Sequence, residues 1–290
     1  MRSIYFLLNV ALLIARGNCQ STQGYAECTQ FKEPYVCAMF VENTLDLLDL
    51  SKSSFVEFWN IHSYSPAEKL HRHDEIFQSQ ISLEGSLSKG GATTLFLHSD
   101  GVVKQIVGRK TMSKTMAEEA DNKNAFASFT IQSYFEPMCV PVIGRICFEQ
   151  QRGPGRLGII ERVFLKYKLV DEEETPTGTF KTFHVRPDIP VFDKILFEGG
   201  VGNMPVSVHR TSGQNGRISE IIRTKWEKYN EKWLPTATEI EVPLAGLNAS
   251  WRVKYYWLLD DIPKEVFEIG KLHASKLKEH VISKLAASVK

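Results

Sequence analysis

Residues 222–259 read IRTKWEKYNEKWLPTATEIEVPLAGLNASWRVKYYWLL. Through this stretch β-favouring side chains alternate with charged ones. Ile222, Thr224 and Trp226 fall on one side of the chain, Arg223 and Lys225 on the other. Tyr229-Asn230-Glu231-Lys232 is a polar break with turn chemistry. Leu234, Thr236, Thr238, Ile240 and Val242 then share a face opposite Glu239 and Glu241. After 243–248, Trp251, Val253, Tyr255, Trp257 and Leu259 share a face opposite Arg252 and Lys254. Period two sustained this long predicts antiparallel strands with one wet face and one dry face. Trp251, Tyr255 and Trp257 together present on the order of 600 Å² for burial, at most roughly 15 kcal/mol by area. A lone hairpin cannot hide that surface. Either the rest of the chain covers it or a ligand does.

Working back from this stretch, the same signals recur. Val191–Phe197 and Met204–Arg210 read as strands on either side of the glycine-rich break 199–203. Asn215-Gly216 is a favoured hairpin pair leading into 217–226. Residues 160–170 and 179–186 read as strands flanking an acidic loop, Asp171–Glu174. Thr93–His98 and Val102–Val107 flank Ser99-Asp100-Gly101, a hairpin signal, and 77–83 alternates as a strand. A helix is expected over 122–135, ending before Pro137. Residues 43–50 and 54–61 suit helix or strand, and Pro66–His73 reads as a helix opening capped by Ser65. His71-Arg72-His73-Asp74-Glu75 lacks a third metal ligand at a recognisable spacing and reads as a solvated turn. At the C-terminal end Leu277, Val281, Leu285 and Val289 repeat every four residues among lysines, the pattern of an amphipathic helix packed on the sheet edge or barrel mouth. The expected fold is therefore α+β and mainly antiparallel β: a long meander forming an unclosed half-barrel wrapped over a few helices.

Met1–Cys19 has the form of a secretory signal: Arg2, a short apolar run over 4–15, then Ala15-Arg16-Gly17. Export suits the cysteines. With the signal taken as 1–18, the bridge candidates are Cys28, Cys37, Cys139 and Cys147; local pairs 28–37 and 139–147 each close a short loop, and free buried thiols are the alternative. The expected layout is a signal over 1–18, a mixed helix/strand extension over 19–76, the half-barrel over 77–270 and a helix over 271–290. The net charge of +1 on 290 residues gives no electrostatic case for nucleic acid or an anionic membrane. Contact with a membrane is at most peripheral.

No G-x-S-x-G, H-E-x-x-H or P-loop is present, and Gly-Pro-Gly at 153–155 is a turn cluster without phosphate-cradle spacing. No cofactor, catalytic group or metal site is expected. Asn248-Ala249-Ser250 is a glycosylation sequon in form.

The segments Met204-Pro205-Val206-Ser207-Val208 after a glycine-rich turn, Thr224-Lys225-Trp226-Glu227, Lys232-Trp233-Leu234-Pro235-Thr236 and Tyr255-Tyr256-Trp257 resemble secreted, planctomycete-type bacterial proteins related to the periplasmic lipoprotein-carrier (LolA-like) family. The resemblance spans about residues 77–269 and is best over 191–260. It implies an unclosed antiparallel barrel with a concave apolar surface that, in the carrier, holds acyl chains. On that reading Trp226, Trp233, Ile240, Trp251, Val253, Tyr255 and Trp257 line a site for a lipid or acyl chain in a periplasmic or extracellular binding protein. Alternation shows that these residues are buried, not by what, so a filled core in a non-catalytic scaffold domain satisfies it equally. A secreted enzyme with a dispersed site is a third alternative.

Overall fold

The computed structural model describes residues 31–47, 54–68, 70–77, 79–81, 87–89, 91–98, 102–107, 110–115, 137–144, 168–186, 191–212, 216–244 and 247–288. The strands are β1 (Tyr35–Leu47), β2 (Ser54–Ser65), β3 (Leu70–Phe77), β4 (Ser79–Ile81), β5 (Leu87–Lys89), β6 (Ala92–His98), β7 (Val102–Val107), β8 (Lys110–Thr115), β9 (Lys168–Glu174), β10 (Gly178–Arg186), β11 (Val191–Glu198), β12 (Met204–Ser212), β13 (Arg217–Tyr229), β14 (Lys232–Leu244) and β15 (Leu247–Leu258). The α-helices are α1 (Val140–Ile143) and α2 (Ala274–Ser288).

Thirteen strands form one sheet in the order β8-β7-β6-β3-β2-β1-β15-β14-β13-β12-β11-β10-β9, while β4 and β5 make a separate hairpin. The pairings are antiparallel throughout. The edge strands β8 and β9 do not pair with each other, so among the described residues the sheet is unclosed. Two meanders compose it. They join where β1 pairs with β15, from Val36 opposite Leu258 to Leu47 opposite Leu247.

The strands expected over 222–259 form as β13, β14 and β15, with the turn where the sequence places it. Asn230 takes φ 52°, a left-handed conformation that asparagine tolerates better than most residues. A bulge at Lys225/Trp226 shifts the register, so that Trp226 faces Pro235 and Thr224 faces Thr238.

The sheet buries both faces over its middle. On one face lie Tyr35, Cys37, Met39, Phe58, Ile195, Phe197, Val208, Ile222, Ile240, Val253 and Tyr255, with Met138, Cys139, Val140 and Val142 of the α1 segment packed on them. On the other lie Val36, Ala38, Ile61, Ile76 and Leu258, covered by Val266, Ala274, Leu277 and Val281. Alternate residues of β1 thus serve opposite cores, which is why 35–41 reads as one unbroken apolar run. Helix α2 crosses the middle of the sheet, against β15, β3, β6 and β1, and not its edge or mouth. Leu277 and Val281 fill the buried stripe that their spacing predicts.

Several stretches differ from their sequence reading. Most of 35–76, read as a mixed extension, supplies three central strands. Pro66–His73 is a turn followed by β3, because Leu70, Arg72, Asp74 and Ile76 face the α2 core. The segment 71–75, read as a solvated turn, lies in β3 between β2 and β6, with 72–75 buried and His71 half-buried. Asp171–Glu174 belongs to the edge strand β9, whose exposure accommodates the carboxylates. The alternation over 77–83 is split, β3 ending at Phe77 and β4 pairing separately with β5. The helix expected at 122–135, the loop at 151–157 and most of the strand at 160–170 lie outside the described residues.

Arg72 holds the α2 face together. Its guanidinium is fully buried and grips Asp74 through two bonds, of 2.8 and 3.0 Å. It also donates to the carbonyls of Val266 (2.9 Å) and Leu272 (2.7 Å), in the segment that delivers α2 to the sheet. Thr94 of β6 donates its hydroxyl to the same carboxylate.

Candidate ligand-binding face

Period-two geometry brings the residues singled out from sequence onto the α1 face. Trp226, Ile240, Val253 and Tyr255 are buried in one cluster, with Trp233, Trp251 and Trp257 partly buried against it. Register explains this: Trp251 pairs with Ile240 and Val253 with Thr238 across β14–β15, while Val41, Met39 and Cys37 of β1 face Val253, Tyr255 and Trp257. Trp226, Trp257 and Tyr255 each pair the polar atom of the ring. Trp226 Nε1 donates to the Pro205 carbonyl and Trp257 Nε1 to the Pro235 carbonyl, both at 2.9 Å. The Tyr255 hydroxyl donates to Thr238 Oγ1 at 2.9 Å, and Thr238 meets Thr224 at 3.0 Å. Burial pushes the Tyr255 phenol well above its ordinary range, so it is a neutral donor at any physiological pH.

Cys37 carries a free thiol at the centre of this face, the alternative to its candidate bridge with Cys28. It points into the packed core between β2 and β15, and burial pushes its pKa well up. A thiol held protonated is a small apolar side chain, not a nucleophile. Cys139 is buried in the α1 segment. Cys28 and Cys147 lie outside the described residues.

Beside the apolar cluster the same face turns polar. His62 pairs across the strands with Cys37 and with His73, and Asn60 pairs with Glu75 on the next same-face rung. His62 Nδ1 and the Tyr35 hydroxyl are 2.9 Å apart, and His62 Nε2 and His71 Nδ1 are 3.2 Å apart. One neutral imidazole satisfies both contacts, donating at one nitrogen and accepting at the other. Burial holds the His62 pKa well below its ordinary value, with His71 and His73 adding repulsion. His62 is therefore a neutral hydrogen-bonding group at neutral pH. Among the described residues no group of three or more His, Cys, Asp or Glu is placed to hold a metal ion.

A second polar cluster lies under α1. Arg210 of β12 grips Asp193 of β11 at 2.8 and 2.9 Å and also bonds Glu220 of β13. It donates to the Val142 carbonyl at 3.3 Å, tying the helix to the sheet. One guanidinium faces two carboxylates. Burial raises the Glu220 pKa and Asp193 adds to the rise, against the pull of Arg210.

No family model matches the chain, and no curated protein does. Among solved structures it is similar to an outer membrane lipoprotein-sorting protein domain from Vibrio parahaemolyticus, at 11% identity and TM-score 0.47, over 86% of this chain and 95% of that one. It is similar to a DUF1329 family protein from Desulfovibrio piger at 9% identity and TM-score 0.48, over 88% and 98% of the two chains. A LolA superfamily protein from Nitrosomonas europaea matches at 11% identity and TM-score 0.41, over 88% and 99%.

Sequence reasoning missed the polar groups of the α1 face. His62, Asn60, Asp193 and Glu220 lie among apolar residues, and their local patterns match any half-exposed strand. Over 70–76 both faces carry polar residues, His71, His73 and Glu75 on one and Arg72 and Asp74 on the other. The available signal was Leu70 and Ile76, which bracket that run on the Arg72 side at even spacing.

Proposed function

We propose that this is an exported, non-catalytic binding protein that holds an acyl chain or similar apolar ligand against the α1 face of its sheet, as the sequence resemblance implies. The carrying observation is the extent of that face. Its apolar cluster runs through β1, β2 and β10–β15, with Met138–Val142 packed on it. Trp233, Trp251 and Trp257 are only partly buried and supply flat apolar walls where a chain would enter. The signal-like N-terminus supports export, with the sheet and α2 together forming the mature binding unit.

A filled-core scaffold is the second reading. It is favoured by Ile240 at 0% and Val253 at 1% exposure, already covered by protein atoms.

Native mass spectrometry of the mature protein, purified without detergent from its own compartment, separates the two. The carrier reading expects an adduct of lipid mass, lost in Trp257→Lys when that variant keeps the wild-type circular dichroism spectrum. A clean apo mass, together with no uptake of an alkyl-chain fluorescent probe by the folded protein, rejects it in favour of the scaffold.

A further inference from the structure

The end of the sheet where β1 begins and β15 finishes gathers aromatic rings around a cation. Tyr35 opens β1 and faces Tyr64 of β2, and on the next same-face rung Cys37 faces Trp257 of β15. The chain before β1 places Phe31 on this corner. Its ring stacks on Trp257, with centroids 5.7 Å apart and planes at 16°, and tilts against Tyr35 at 4.2 Å. Tyr35 in turn meets Trp257 at 5.6 Å and Tyr64 at 6.0 Å.

These rings are held from behind. The Tyr35 hydroxyl meets His62 at 2.9 Å, Tyr64 stacks on His71 at 4.4 Å, and the Trp257 indole is bonded to the Pro235 carbonyl. Phe31, Tyr64 and Trp257 keep partial exposure. The Lys232 ammonium, from the first residue of β14, sits 4.1 Å over the centroid of Phe31. The face of an aromatic ring carries negative potential and attracts a cation placed over it. The exposed carboxylates Glu33, Glu231 and Asp260 flank Phe31, Lys232 and Trp257 in the chain.

We infer that Phe31, Tyr35, Tyr64 and Trp257 form a binding site for an alkylated ammonium group, the headgroup of an amphiphile whose chain lies on the adjoining apolar face. The chain part of this inference rests on the proposed function; the ammonium part does not. Lys232 marks where the cation goes. Its own ammonium is compact and strongly hydrated. A methylated ammonium sheds water more readily and presents apolar methyl groups to the rings, so it competes for the place. Fixed rings lower the ordering cost of binding.

The test titrates the mature protein with tetramethylammonium, octyltrimethylammonium and octyl sulfate, each below its micellar concentration, at constant ionic strength. Tryptophan fluorescence and ring-proton NMR shifts are read. Saturable binding of tetramethylammonium is expected, tightened at least tenfold by the octyl chain. Phe31→Leu, which lies outside the strands, weakens it about fivefold or more, and Trp257→Leu does the same. Lys232→Met strengthens it. Tetramethylammonium that acts no differently from sodium, or binding indifferent to Phe31→Leu, overturns the site. Equal binding of both octyl compounds overturns it too, while leaving the apolar-face reading intact. Tetramethylammonium binding to which the octyl chain adds nothing establishes a site for a free ammonium ion and removes the acyl-chain reading.

Discussion

Replacing Arg72 by methionine is the sharpest test of how the chain is held together. The guanidinium is at 0% exposure, as is its partner Asp74. Methionine matches the stem and removes the charge, leaving a buried carboxylate with the Thr94 hydroxyl as its one remaining named donor. Breaking a buried pair from one side costs about 3–5 kcal/mol, because the other charge stays desolvated. The Val266 carbonyl loses its donor in a buried setting, adding about 1 kcal/mol. The Leu272 carbonyl is only partly buried and recruits water at little cost. The sum is about 4–6 kcal/mol, a large share of the roughly 5–15 kcal/mol that holds a typical domain. Urea denaturation followed by circular dichroism measures the loss. Hydrogen exchange over 274–288 should rise with it, since Arg72 clamps the segment that leads into α2. The double variant Arg72→Met, Asp74→Leu removes the stranded charge and should recover about half the loss. A single variant that loses under about 1.5 kcal/mol, or a double variant no better than the single, would show that the pair is not the clamp described here.

Three further outcomes follow from the geometry. Because burial raises the Glu220 pKa in the folded state, stability should fall as pH rises from its ordinary value of 4.5 through the raised folded value; Glu220→Gln should flatten that slope in urea midpoints measured between pH 4.5 and 7.5. His62 has the opposite linkage: its folded pKa is lowered, so stability is lost as pH falls below its ordinary 6.5 toward the folded value, and NMR titration should find its ring still neutral at pH 6. Gly202 sits at φ +68° with its α-hydrogen directed at the Trp233 indole, so Gly202→Ala should cost about 2–3 kcal/mol from left-handed strain and displacement of that ring, seen as a lower urea midpoint and altered tryptophan fluorescence.

The strands of the second half were legible because their evidence is local. Alternation at Trp251, Val253, Tyr255 and Trp257 is a property of consecutive side chains, and Asn230 and Gly216 mark turns through their own backbone preferences. Of the candidate face, the apolar members fall in one cluster, Trp226, Ile240, Val253 and Tyr255 buried and Trp233, Trp251 and Trp257 partly so. The polar members were not legible, since nothing local distinguishes a buried His62 or Asp193 from an exposed one. Their burial depends on partners on neighbouring strands: Cys37 and His73 for the first, Arg210 and Phe183 for the second.

By itself, then, the sequence determined strand identity, facing and turn positions in 191–258, the amphipathic stripe of the last helix, and the absence of any familiar catalytic motif. Tertiary structure alone decided that β1, β2 and β3 lie at the middle of the sheet. There β1 pairs with β15 across more than 200 residues of chain, and such pairing leaves no local mark. It also decided that the charged run 72–75 is core. A strand flanked by neighbours on both edges and covered on both faces must bury whatever side chains it carries. Arg72 and Asp74 are stable there only because each neutralises the other, and because carbonyls of the C-terminal segment arrive to complete the set.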